Sequence, residues 1–123
     1  MPETVEHWPK EVLERLSAAV LAITPFTIAE EKFGWLHAGW PPEKVARYEQ
    51  QLRALLLIPL DLETVDCYAA LRAECMSKGL TFGYHDLWIG ATAISQEIPL
   101  VTCDKSQSTI PGLDAIYLPP TPI

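Results

Sequence analysis

Positive charge is scarce in this sequence. Nine Lys and Arg residues stand against sixteen Asp and Glu residues, which gives a formal net charge of −7 at pH 7. Proteins that hold nucleic acid through a broad electrostatic surface need a basic face, so this balance argues against that class. It does not exclude a site rich in carboxylates, whose negative charge a bound metal ion would partly offset. An acidic surface also suits a basic protein partner.

Long hydrophobic runs are absent as well. The longest candidate, residues 52–62, is interrupted by Arg53, Pro59 and Asp61 and falls short of the ~20 apolar residues that a membrane helix needs. The N-terminal residues carry acidic rather than basic side chains ahead of any apolar stretch. We therefore expect neither a membrane span nor a secretory signal.

Cysteine is also rare. Cys67, Cys75 and Cys103 make an odd set without the spacing of a metal site. Cys67 and Cys75 fall on one predicted helix, too far apart along its axis to form a disulfide. We expect small buried thiols in a protein of the reducing cytoplasm.

The motifs of common small-molecule α/β enzymes are missing too. The sequence contains no Gly-rich phosphate-binding loop, no Gly-x-Ser-x-Gly segment and no visible pair of nucleophile and base. An enzyme of that class is therefore disfavoured.

What the sequence does contain is a regular alternation of helices and strands. Apolar stripes with helical spacing predict helices at residues 7–20, 27–37, 42–56, 61–78 and 84–96. Short apolar runs predict strands at residues 21–26, 57–60, 99–102 and 115–118. This order is typical of one α/β domain over residues 1–123, with a mostly parallel central sheet flanked by helices. The Pro-rich tail at residues 119–123 is expected to be loose.

Two of the predicted helices begin with a capping signal. Thr27 and Glu30 have the spacing of a capping box, which predicts that the second helix starts at Thr27. Asp61 is the predicted N-cap of the fourth helix, which Gly79 ends.

Three carboxylates lie near the ends of predicted elements. Glu30 and Asp104 follow the carboxyl ends of strands, and Asp86 opens the fifth helix. Ligand sites of parallel α/β sheets lie beyond the carboxyl ends of the strands, so these acids can converge. Their oxygens suit Mg²⁺ or Mn²⁺, and no set of His and Cys competes for zinc. Taken singly, each has an ordinary interpretation, as a capping-box acid, a helix-terminal acid stabilised by the dipole, or a loop acid.

Several segments of the sequence resemble the PIN domain family, and within it the VapC-type toxins of type II toxin–antitoxin pairs. They occur along the chain in the same order as in that family. Asp-Leu-Trp-Ile-Gly-Ala-Thr-Ala at residues 86–93 is close to that family's Asp-x-Trp-Ile-Ala-Ala-Thr-Ala. The likeness covers about residues 22–117, and its other segments are Thr-Ile-Ala-Glu at 27–30, Tyr-x-x-Leu-Arg at 68–72, Leu-Val-Thr-Cys-Asp at 100–104 and the turn at 110–113.

The resemblance implies a three-layer fold and a Mg²⁺- or Mn²⁺-dependent endoribonuclease that acts as a toxin in the cytoplasm. It also implies a cognate antitoxin and a homodimer. It assigns metal binding and catalysis to Glu30, Asp86 and Asp104, with the Thr102 hydroxyl orienting a carboxylate. Candidate contacts to the RNA backbone are Lys32, His85 and Lys105.

One departure from the family is large. The family opens with a strand that ends in Asp-Thr-Asn or Asp-Thr-Ser, lies in the middle of the sheet and supplies the first metal-binding Asp. Residues 1–4 resemble the region after that motif, so we expect the first strand to be missing. A misassigned start or shortened chain is the favoured explanation. The alternatives are a strand supplied by a partner or second copy, and a decayed PIN domain that only binds a protein partner.

Overall fold

The computed structural model describes residues 8–119 of the 123-residue chain. Within that range the helices are α1 (Lys10–Ser17), α2 (Pro25–Ala38), α3 (Pro42–Arg53), α4 (Leu62–Ser77), α5 (Tyr84–Gln96) and the short 3₁₀ helix η1 (Gln107–Thr109). The strands are β1 (Ala22–Ile23), β2 (Leu56–Leu57), β3 (Leu100–Thr102) and β4 (Ala115–Tyr117). The alternating α/β order of the prediction is confirmed. Most of the predicted loose tail, residues 120–123, lies outside the described residues.

The strands pair in parallel, but as two separate pairs. Strand β1 pairs with β2, and β3 pairs with β4 with Val101 opposite Ile116. In residues 8–119 no ladder joins β1 to β3. The central sheet of the prediction is therefore divided into two pairs in the described residues.

Helix α2 begins at Pro25, two residues earlier than predicted. Thr24 is its N-cap, because the Thr24 hydroxyl oxygen accepts the backbone N–H of Thr27 at 3.0 Å. Pro25 fits the first helical position, where its missing N–H costs nothing. The capping box at Thr27 was wrong, and Glu30 lies in the second turn of the helix rather than at its start.

Other boundaries moved because strands compete with helix ends. Helix α3 was predicted to reach residue 56, but the Leu56 N–H donates to the Leu21 carbonyl at 3.0 Å, so Leu56 belongs to β2. The first helix is shorter at both ends than the predicted 7–20, and η1 was not predicted. Helix α5 has its predicted bounds, and Asp61 caps α4 by accepting the Thr64 N–H at 2.8 Å.

The hairpin of α4 and α5 forms the core of the described chain. Its buried cluster consists of Leu71, Cys75, Leu87, Ala91 and Ile110. Gly90 makes the close packing possible, since a Cβ there would lie 3.3 Å from the Ile110 side chain. This packing fixes the N-terminus of α5, where Asp86 lies.

The strand pairs are far less covered than the hairpin. Leu56 and Leu57 of β2 are 59% and 51% exposed, and Val101 of β3 is 40% exposed. Parallel strands are ordinarily buried on both faces, so these strands lack the covering that such sheets have.

The cysteine prediction is confirmed in part. Cys67, Cys75 and Cys103 are all free, and Cys75 is buried as expected. Cys103 is exposed, because it points away from the interior in the turn that follows β3. In residues 8–119 no helix has both the length and the apolar character required to cross a membrane.

Candidate active site

Asp86 is the central residue of the candidate site. It lies in the first turn of α5, is partly buried, and accepts a hydrogen bond from the side-chain amide of Gln107 at 3.3 Å. The pKa of Asp86 is raised, chiefly because burial disfavours its charged form. Repulsion by Asp104 and then by Glu30 raises that pKa further, while His85 opposes the change. Asp86 therefore lies within the electrostatic field of both other predicted carboxylates.

Glu30 reaches α5 through a histidine. The Glu30 Oε1 atom lies 2.7 Å from Nδ1 of His85, and the two side chains are 52% and 59% exposed. This contact joins the second turn of α2 to the first turn of α5. His85, predicted as a candidate RNA contact, is thus a neighbour of the acids and a partner of one of them.

Asp104 follows β3 and shapes the turn that leads to η1. Its Oδ1 atom accepts the backbone N–H groups of Ser106 at 2.9 Å and of Gln107 at 3.4 Å. Its own backbone N–H donates to the Thr102 hydroxyl at 3.0 Å. The carboxylate is therefore held by its own turn.

Gln107 connects these parts and was not identified from the sequence. The buried Thr102 hydroxyl donates to Gln107 Oε1 at 2.7 Å, and the other end of the same amide donates to Asp86. Thr102 was predicted to orient a carboxylate, and its hydroxyl reaches the Asp86 carboxylate through the Gln107 amide. The sequence offered one signal for Gln107, namely a single Gln three residues beyond Asp104 and shortly before the apolar Ile110.

The two lysines proposed as RNA contacts differ in position. Lys32 lies 2.8 Å from Glu49 of α3, and Glu49 also pairs with Arg53. This pairing directs the Lys32 ammonium toward α3 rather than toward the acids. Lys105 is exposed beside Asp104 and forms no ion pair within residues 8–119.

A divalent cation fits the chemistry of this site, although its ligands are not gathered around one point. No group of three or more His, Cys, Asp and Glu side chains is arranged to hold a metal in the described part of the chain. Glu30 is turned to His85 and Asp104 to its own turn. The carboxylate oxygens are nevertheless hard donors, and a cation would offset both the burial and the repulsion by Asp104 and Glu30 that raise the pKa of Asp86.

The profile of the PIN domain family matches residues 6–113. The chain belongs to the PIN domain family. It is 26% identical over 111 residues to Ribonuclease VapC5 of Mycobacterium tuberculosis, an alignment that covers 89% of this chain and 82% of that relative. VapC ribonuclease Y4jK of Sinorhizobium fredii is 30% identical over 103 residues, with 78% and 73% covered.

A solved structure gives the same picture. VapBC2 from Rickettsia felis, bound to a DNA fragment from their promoter, superposes with a TM-score of 0.77 at 26% identity. That match covers 89% of this chain and 86% of the other. The likeness of this PIN domain to the VapC type, predicted from its motifs, is confirmed.

Proposed function

We propose that this PIN domain is the toxin ribonuclease of a toxin–antitoxin pair and hydrolyses RNA phosphodiesters with Mg²⁺ or Mn²⁺. The observation that carries the proposal is the set of contacts at the N-terminus of α5, where His85 meets Glu30 and where Gln107 links Asp86 to the turn that Asp104 holds. The names of the VapC relatives support RNA as the substrate.

Each part of the chain's own machinery has a role in this proposal. Glu30, Asp86 and Asp104 hold the cation, and one of them accepts the proton of the attacking water. Thr102 and Gln107 hold Asp86 in place through their hydrogen bonds. A bound divalent ion supplies positive charge that activates a water molecule and offsets the charge developing on the phosphate.

A fourth carboxylate would complete the ligand set. We infer that it comes from a strand lying between β1 and β3, because no ladder joins these strands within residues 8–119. Unpaired strand edges readily accept another strand. The resemblance to the family, whose first strand ends in an Asp, gives this strand its carboxylate.

The same proposal includes an antitoxin partner, a homodimer and a cytoplasmic location. The VapBC2 neighbour supports the antitoxin. Phe33 and Leu36 on α2 are 64% and 82% exposed, and they offer apolar surface to a partner chain. The free thiols suit a reducing compartment.

A second function is favoured by one specific observation. The described residues contain no assembled metal-binding group, which is what a PIN domain that only binds a protein partner would show. This alternative predicts a folded chain that binds its partner but cleaves no RNA.

Cleavage of structured and single-stranded RNA by the chain, with Mg²⁺ and with Mn²⁺, separates the two functions. We expect cleavage that EDTA abolishes and that Asp86→Asn abolishes with little effect on folding. Asp66→Asn, which removes an exposed carboxylate of α4, is the matched control and should cleave normally. Cleavage by Asp86→Asn at the rate of the unmodified chain would contradict the role of Asp86. No cleavage by a chain with a normal circular dichroism spectrum would favour the binding function.

A further inference from the structure

An exposed pair of side chains lies at one end of the α4–α5 hairpin and takes no part in its core. The guanidinium of Arg72 lies 4.9 Å from the centre of the Tyr84 ring, and its Nη2 atom is 3.5 Å from the Tyr84 hydroxyl. Tyr84 is 63% exposed, and Arg72 is exposed as well. Neither belongs to the hydrophobic cluster, so packing does not account for their arrangement.

The register of the hairpin places this pair at the end of the hairpin where Asp86 lies. The antiparallel helices pair Thr64 with Ser95 at one end, and Tyr68 stacks on Trp88 further along at 3.8 Å. The next step in this series is Arg72 with Tyr84. It falls in the first turn of α5, the turn that also holds Asp86.

The charge of Arg72 has no carboxylate partner. Within residues 8–119 the described ion pairs do not include it, although the chain carries a net charge of −7. An exposed guanidinium without a carboxylate partner, at the same end of the hairpin as Asp86, provides a positive point for a phosphate group. The exposed Tyr84 ring next to it provides a flat surface on which a base can stack.

We propose that Tyr84 and Arg72 form a nucleotide platform that positions single-stranded RNA for cleavage. A base stacks on the Tyr84 ring, and the adjoining phosphate contacts the Arg72 guanidinium, so the neighbouring phosphodiester faces Asp86. This inference rests on the proposed ribonuclease function and names the positioning residues of that site.

Binding of 5′-fluorescein-labelled U10 and A10 oligoribonucleotides tests the platform, measured by anisotropy in an Asp86→Asn background that prevents cleavage. Tyr84→Ala should weaken binding roughly five- to a hundredfold, and Tyr84→Trp should restore it, because stacking needs only an aromatic face. Arg72→Ala should weaken binding and lower the slope of log affinity against log salt by ~0.7, the value for one phosphate contact. Arg47→Ala on α3 is the control and should change neither quantity.

Cleavage kinetics in the otherwise unmodified chain give a second readout. Arg72→Ala and Tyr84→Ala should raise KM several-fold more than they lower kcat, with thermal midpoints unchanged. Normal binding and salt slope together with a lowered thermal midpoint would make the pair a structural clamp and overturn the platform, while the ribonuclease function stands. Failure of the unmodified chain to bind or cleave RNA would overturn both.

Discussion

Asp86 has a central place in the proposed active site, but its charge lowers the stability of the folded protein. Its pKa is raised in the folded protein by burial, by Asp104 and by Glu30. A carboxyl group with a raised pKa is harder to ionise in the folded than in the unfolded chain, so its charge destabilises the fold at neutral pH. This penalty is present above the folded pKa and disappears as pH falls through it.

Asp86→Asn should therefore raise the thermal midpoint of the metal-free protein at pH 7.5. We expect a rise of roughly 1–3 °C, because about 1 kcal/mol moves the midpoint of a domain this size by roughly 4 °C and partial exposure weakens the effect. The difference should shrink in melts at acidic pH, where Asp86 is protonated. An unchanged or lowered midpoint at pH 7.5 would show that burial and repulsion of the Asp86 charge do not destabilise the fold, and Asp66→Asn serves as the control.

Gln107 shows how a buried polar residue can hold a site together. Gln107→Ala would remove the acceptor of the buried Thr102 O–H and the side-chain donor to one oxygen of Asp86. Leaving buried polar groups unpaired costs about 1–3 kcal/mol, so urea unfolding should show a loss of that size. RNA cleavage should fall as well, since Asp86 loses its orientation. Gln50→Ala on the exposed face of α3 should change neither property.

The sequence allowed the acids of the site to be predicted, but not their partners. Asp86 and Asp104 lie in recognisable segments beside element ends. Gln107 meets Asp86 across 21 residues of chain, and His85 meets Glu30 across two helices. Such contacts depend on how elements pack, which local sequence patterns do not encode.

At the scale of the element, the start of α2 was decided by competition between two threonines. Thr24 followed by Pro25, and Thr27 followed by Glu30, both satisfy rules for helix starts. The strand before the helix ends at Ile23, which leaves Thr24 extended and free to accept the Thr27 N–H. Helix α5 was predicted correctly because nothing within its sequence offered a second start.

Thr24→Ala should destabilise the protein by about 1 kcal/mol through loss of the N-cap. Thr27→Ala should cost less, because the Thr27 backbone N–H that Thr24 accepts is retained. Guanidinium unfolding of the two variants measures both changes. A larger loss for Thr27→Ala than for Thr24→Ala would restore the capping box as the true start of the helix.

At the scale of the whole molecule, the α/β class could be predicted from the sequence. The division of the strands into two pairs could not. Alternating patterns show which segments become strands, whereas the pairing of β1 with β2 and of β3 with β4 depends on neighbours in space. The exposed leucines of β2 are the visible result. Single exposed apolar residues on helices are ordinary, but exposed parallel strands are not.

We therefore expect self-association of the chain to proceed through the exposed strands β2 and β3. We expect Leu56→Lys combined with Val101→Lys to reduce self-association in sedimentation equilibrium, while the circular dichroism spectrum is kept. Leu62→Lys on α4, at a position 81% exposed, is the matched control and should associate like the unmodified chain. Equal loss of association in the control would assign the contact to helices instead.

The contact between α2 and α5 has a consequence for motion. It is the largest helix–helix contact between the part containing β1 and β2 and the part containing β3 and β4. Phe26 against Trp88 and Glu30 against His85 are two of its side-chain contacts. If the contact between α2 and α5 opens while the rest of the fold is kept, amides of α2 and α3 become exposed to hydrogen exchange and those of α4 and α5 stay protected. Glu30 and Asp86 would then be separated by each opening, so the acids would be assembled only in the closed population.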